Sequence, residues 1–127
     1  MKWLFAAFWN YAKFSGRARR REFWGFFLIQ NIVLALCVGI DVAEVGVYAF
    51  QLTDFYAAPL WFAVTLIPFI TVTVRRLHDI NKSGWWWLVV VVPVVGPLVF
   101  LVFTLLRGTK GSNRYGCDPI GIFSSGI

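Results

Sequence analysis

The chain has 127 residues, of which 59% are hydrophobic and 19% aromatic but only 14% charged, with a net charge of +6. Its mean hydropathy is +0.70, whereas a soluble domain of this size carries about 25% charged residues. The apolar residues come in long blocks that a small core cannot hide, so a soluble single domain is excluded and the bilayer is the matching solvent.

The charges are segregated. Residues 1–22 hold Lys2, Lys13, Arg17, Arg19, Arg20 and Arg21 against Glu22 alone, and 41–58 hold Asp41, Glu44 and Asp54 with no base. Bases return at Arg75, Arg76 and Lys82, and again at Arg107, Lys110 and Arg114. Bases flanking apolar blocks orient spans and attract anionic headgroups; no nucleic-acid recognition pattern accompanies them, and no nucleic-acid partner is expected. Cys37 and Cys117 form no CxxC and have no His nearby, so neither a metal site nor a disulfide framework is read from them.

In chain order, residues 2–14 read as an amphipathic helix in the membrane interface. Lys2, Asn10 and Lys13 share a narrow arc of the helical wheel, and Trp3, Phe5, Phe8 and Trp9 cover the rest. Asn10 interrupts the apolar part and no cleavage site follows, which argues against a signal peptide. Ser15-Gly16 breaks that helix, and a first span is predicted over 23–40, about 18 residues and long enough to cross. Ala35 and Gly39 are four apart on it, where another helix can approach closely. An acidic loop over 41–58 leads to a second span over 59–74, kinked at Pro68, with Thr65, Thr71 and Thr73 available to the carbonyls the kink frees.

After the turn residues Asn81-Lys82-Ser83-Gly84, a third apolar run covers 85–106. Pro93-Val94-Val95-Gly96-Pro97 lies in its middle and admits two readings. A re-entrant hairpin would return the basic tail (107–127) to the cytoplasm, but its mid-bilayer backbone needs protein cover. A kinked full span is the preferred reading. Trp3, Trp9, Trp24, Trp85, Trp86 and Trp87 are expected as interfacial anchors.

The segment Arg75-Arg76-Leu77-His78-Asp79 concentrates the chain's chemistry. Arg75, Arg76, His78 and Lys82, with Arg19, Arg20 and Arg21, make a candidate site for anionic headgroups or another anion, since Arg forks take phosphate bidentately. The competing reading is a structural clamp, with Glu22, Arg75, Arg76 and Asp79 in ion pairs and Glu22 reaching across to Arg75 or Arg76. One His and one Asp without a nucleophile or metal partner do not form a catalytic set. No enzyme activity, cofactor or metal is expected.

Ser15-Gly16-Arg17-Ala18-Arg19-Arg20-Arg21-Glu22-Phe23-Trp24 resembles the opening of family 805 of the bacterial domains of unknown function (DUF 805). Arg75-Arg76-Leu77-His78-Asp79 with Ser83-Gly84-Trp85-Trp86 resembles its central signature. Pro93 to Pro97, and Gly108-Thr109-Lys110-Gly111-Ser112-Asn113-Arg114-Tyr115-Gly116, resemble its later elements. The resemblance implies a small bacterial inner-membrane protein with a few spans and supplies no substrate.

The sequence therefore predicts an all-α membrane protein in one domain: an interfacial helix, three apolar segments and a cytoplasmic amino terminus. The expected role is a non-enzymatic scaffold or regulator that binds anionic lipid, a membrane partner or a second copy. The alternative is a subunit of a small oligomeric transporter or channel.

Overall fold

The computed structural model describes residues 8–45, 51 and 55–120. Among these residues the architecture is helical, in the order α1 (Arg20–Val45), α2 (Ala57–Asp79), a 3-10 helix (Gly84–Val91) and α3 (Val95–Leu105). At 1.5 Å per residue α1 and α2 are about 39 and 35 Å long, enough to traverse a hydrocarbon core of about 30 Å.

α1 and α2 pack antiparallel, held at three levels by polar pairs. Arg75 meets Glu22 at one end, the Gln30 side-chain amide donates to Thr65 Oγ1 at 2.7 Å midway, and Asp41 serves the other end. Asp41 is 2% exposed. Its carboxylate accepts from the backbone N–H groups of Ala57 (3.0 Å) and Ala58 (2.9 Å), donors that the first turn of α2 leaves without helical partners. The expected acidic loop is therefore shorter at its start. Asp41 lies inside α1 and caps the neighbouring helix, where its charge also complements the helix dipole.

Pro68 lies inside α2. Lacking an N–H, it cannot bond the carbonyl of Val64 four residues earlier. The Tyr11 hydroxyl donates to that carbonyl instead, and Thr71 Oγ1 donates to the Tyr11 carbonyl at 3.0 Å. Thr65 and Thr71 also bond the carbonyls of Trp61 and Ile67 in their own helix. The carbonyl that Pro68 leaves free thus forms the seat on which the amino-terminal segment is strapped. Of the interfacial helix expected over 2–14, residues 2–7 lie outside the described residues. Phe8 and Trp9 are helical, and the chain turns from Asn10, with Lys13 N–H bonding Asn10 O at 3.0 Å, so 10–14 do not continue the helix.

The third apolar run is a hairpin, not a kinked span. The 3-10 helix and α3 are each about 16 Å long, half a hydrocarbon core. They fold back on each other, with the Trp86 and Phe103 rings 5.8 Å apart edge to face. The local chemistry explains the reversal. Pro93 and Pro97 supply no N–H, Val94 sits at φ 64°, a strained conformation for a β-branched residue, and Gly96 lies against the Val89 carbonyl. A Cβ at Gly96 would stand 1.9 Å from that oxygen, so only glycine closes the turn.

The burial pattern is inverted relative to a soluble domain. Arg17, Glu22, Gln30, Asp41, Thr65, Thr71, Arg75, Arg76, Asp79 and Thr104 are buried, while Leu28, Leu36, Leu60, Val91, Val94 and Leu98 are more than half exposed. A small aromatic core of Phe23 and Phe26, with Ala18 and Val72 and flanked by Phe8, Phe69 and Phe100, joins the amino-terminal segment, both long helices and α3.

Candidate functional site

The site lies where α2 ends. Asn81, at φ 59°, takes the left-handed position that stops the helix, and the N–H of Lys82 returns to the Leu77 carbonyl at 2.9 Å. The last turn of α2 therefore presents Arg75, Arg76, His78 and Asp79 to three neighbours: the Gly16–Arg19 segment, the start of α1 and the carboxy-terminal tail.

Asp79 is the hub. Its Oδ1 accepts from Arg17 Nε at 2.9 Å and its Oδ2 from Arg76 Nη1 at 2.7 Å. Both arginine side chains are about 1% exposed. Arg17 extends further, donating to the carbonyls of Thr109 (2.6 Å) and Gly111 (2.7 Å) in the tail. Arg76 donates to the Thr104 carbonyl at 3.2 Å and to that of Leu106 at the end of α3. The Asp79 carbonyl accepts from both Thr109 N–H and Thr109 Oγ1 at 2.8 Å. Gly108 passes so close that an added Cβ would lie 2.2 Å from Asp79 Oδ2. One carboxylate and two guanidinium groups thus pin the tail, the amino-terminal segment and α3 to the end of α2.

Arg75 faces the other way, toward α1. Its Nη1 lies 2.8 Å from Glu22 Oε1, both side chains about nine-tenths buried. The two atoms meet as charges without hydrogen-bond alignment, and Arg75 Nε has no acceptor. Ala18 N–H bonds the Arg75 carbonyl at 2.9 Å, tying the collar to the same turn.

His78 lies past Val74, beyond the apolar stretch of α2. Its Nδ1 is 3.1 Å from the Gly16 carbonyl, which only accepts, so Nδ1 carries the proton. Its ring stacks on Tyr115, centroids 4.0 Å apart and planes within 4°. Burial pushes the imidazole pKa below the ordinary 6.5; the Gly16 hydrogen bond opposes that shift and Arg114 reinforces it. Asn113 completes the clasp, its amide donating to the His78 carbonyl (2.9 Å) and to Thr109 Oγ1 (2.7 Å).

The residues expected at an anion site divide into two groups. Arg75 and Arg76 are buried and turned inward, toward Glu22 and Asp79. Arg19, Arg20 and Arg21 border a surface pocket of about 280 Å³ with Ile120; Arg19 donates to the Pro119 carbonyl and Arg20 to the Leu105 carbonyl at 3.3 Å. Arg21 is exposed, as is Lys82, whose ammonium lies 5.3 Å over the Trp86 ring. Among the aromatic residues, Trp9, Trp85 and Trp86 are exposed and Trp87 half-buried. Trp24 packs edge-on against Phe23 and Phe27 instead of facing out. Trp3 lies outside the described residues.

Sequence reasoning missed Arg17, Thr109, Asn113 and Tyr115 as partners of this cluster. The signal was the set of motif glycines: Gly108 marks a close backbone passage, and Gly16 and Gly111 mark turns at positive φ. Among the described residues no group of three or more His, Cys, Asp or Glu side chains is placed to hold a metal.

The clustered residues are the quoted motifs, and the match extends over most of the chain. Residues 11–117 match the model of the family described as Protein of unknown function (DUF805). The chain belongs to the DUF805 family. It is 44% identical to "Inner membrane protein YhaI" of Escherichia coli K12 over 119 residues, 94% of this chain and 96% of that one. It is 35% identical to "Inner membrane protein YhaH" of the same strain, covering 94% and 97%. It is 30% identical to "Uncharacterized protein YiiR" of that strain, covering 92% and 88%. No solved structure matches. For this DUF805 chain the geometry assigns the central signature a joining role: its charges bind one another and the backbone of the tail.

Proposed function

We propose that the chain is an integral protein of the bacterial inner membrane that acts as a non-enzymatic scaffold or regulator, presenting a basic cytoplasmic face to anionic lipid headgroups. In this reading α1 and α2 cross the bilayer, the hairpin re-enters it, and both Gly16 and the tail lie on the cytoplasmic side. The relatives' inner-membrane names and the apolar outer faces of α1 and α2 support the placement.

The observation that carries the role is the division of the basic residues. The three guanidinium groups of the signature cluster are buried against internal carboxylates and carbonyls, whereas Arg20, Arg21 and Lys82 remain at the surface, Lys82 over the Trp86 ring. Each such surface base contributes about 1 kcal/mol of attraction to an anionic membrane surface. Catalysis is disfavoured for the same reason: Asp79 is held by two cations and His78 is stacked and bonded to backbone.

The test is native mass spectrometry of the purified protein with phosphatidylglycerol and phosphatidylcholine. Preferential retention of phosphatidylglycerol is expected, reduced about tenfold or more in Arg20→Ser/Arg21→Ser/Lys82→Ser. Equal retention of both lipids would refute the headgroup role. A second reading, as a subunit of a small transporter or channel, is supported by the buried Gln30–Thr65 pair midway along the helices. Ion or solute flux through proteoliposomes tests it.

A further inference from the structure

Gln30 and Asn31 stand at the middle of the apolar stretch 23–40, and their amides are differently placed. Gln30 points toward α2 and is 7% exposed; its amide nitrogen is bonded to Thr65, but its Oε1 has no partner. Asn31, one position on, is exposed at the mouth of the groove that the two helices form. Its Nδ2 donates to the Phe27 carbonyl at 2.7 Å, and its Oδ1 accepts no hydrogen bond among the described residues. Both line a groove of about 150 Å³ between α1 and α2, walled by Phe27, Leu34, Phe62 and Leu66.

We propose that this face of α1 is the surface through which two copies of the chain pair, with Asn31 of each copy bonded to Asn31 of the other. The inference rests on the reading of α1 as a membrane span. At that depth no water reaches an amide, and lipid tails offer neither donor nor acceptor, so an outward Oδ1 and a spare N–H are satisfied only by another polypeptide. The primary amide identifies which polypeptide. It carries donor and acceptor together and is complementary to itself. A two-fold axis beside Asn31 places one amide against its mate and gives each Oδ1 the other's Nδ2–H, the self-matching contact of a symmetric pair.

The rest of the face permits the approach. Ala35 and Gly39 follow at one and two turns, both exposed, and a Cβ added at Gly39 would meet nothing within 4 Å. Small side chains let two helix backbones come close. They do not by themselves select a partner; the mid-span amides do. The orphaned Gln30 Oε1 lies in the same groove and gives an incoming polar group a second acceptor.

The experiment is cysteine cross-linking of the full chain in native membranes. Ala35→Cys is placed in a Cys37→Ser/Cys117→Ser background, with Val102→Cys on α3 as the control. Oxidation is expected to give a homodimer from Ala35→Cys and none from Val102→Cys. Asn31→Leu should slow that reaction about tenfold, while Asn31→Gln retains it. Monomer from Ala35→Cys, equal dimer from Val102→Cys, an unchanged rate in Asn31→Leu, or cross-linking only to a different protein would each overturn the proposal. Alkaline carbonate extraction of the same membranes separates the two readings. Release of the protein would remove the membrane reading itself, whereas retention without cross-linking removes only the pairing.

Discussion

Asp79 shows what a single residue does here. A carboxylate between Arg17 and Arg76, both about 1% exposed, is a buried ion triad, and removing one member of such a set costs about 3–5 kcal/mol because the others stay buried without a counter-charge. Glu22 and Arg75 form the separate pair, which allows a selective swap. Glu22→Arg should lower thermal stability in detergent, and adding Arg75→Glu should recover most of the loss. Adding Arg76→Glu should deepen it, because that change sets a second acid beside Asp79. Recovery by Arg76→Glu instead would contradict the pairing. His78 gives a pH handle. Its folded pKa lies below the ordinary value, so between about pH 6.5 and the lower folded value the unfolded chain takes up the proton first. Stability from the His78–Tyr115 clasp is therefore full above pH 6.5 and declines on acidification. An NMR titration of the imidazole should give a midpoint below 6.5 that rises toward it in Tyr115→Ala.

Among the elements, the two long helices were legible from their apolar length, and the turn at Asn81 from its residue types. Other limits were set by partners distant in sequence. α1 runs on to Val45, with Asp41 capping the amino end of α2, and the carbonyl that Pro68 leaves free is taken by Tyr11, 53 residues from Val64. The third run carried both of its readings in the same Pro-Gly-Pro motif. Closure was decided by contacts: Trp86 on Phe103, and the Thr104 and Leu106 carbonyls on Arg76. A Trp86→Cys/Phe103→Cys pair in a Cys37→Ser/Cys117→Ser background should form an intramolecular disulfide on oxidation. In a continuous helix those positions would stand about 25 Å apart and give none. Gly96→Ala, which sets a methyl group against the Val89 carbonyl, should sharply reduce the yield.

At the scale of the molecule, the tail and the Gly16–Arg19 segment share one end of the helix pair, since Arg17 and Asp79 hold both. Any membrane crossed by α1 and α2 therefore has the tail on the same side as Gly16. With that side cytoplasmic, Cys117, which is exposed, should react with a membrane-impermeant maleimide in inverted vesicles and stay unlabelled in intact cells. Labelling from outside would contradict the hairpin in the membrane. The helical class, the two apolar lengths and the end at which the bases gather are legible in the sequence, because these follow from composition and local periodicity. The sequence also placed Glu22 near Arg75 or Arg76, since opposite charges at one level attract, but left the choice between them open. Which arginine takes which carboxylate, that Arg17 belongs to the cluster and that the third run turns back emerge from the folded chain alone. Those outcomes depend on carbonyls and carboxylates brought together from positions up to a hundred residues apart, and no local pattern records such a meeting.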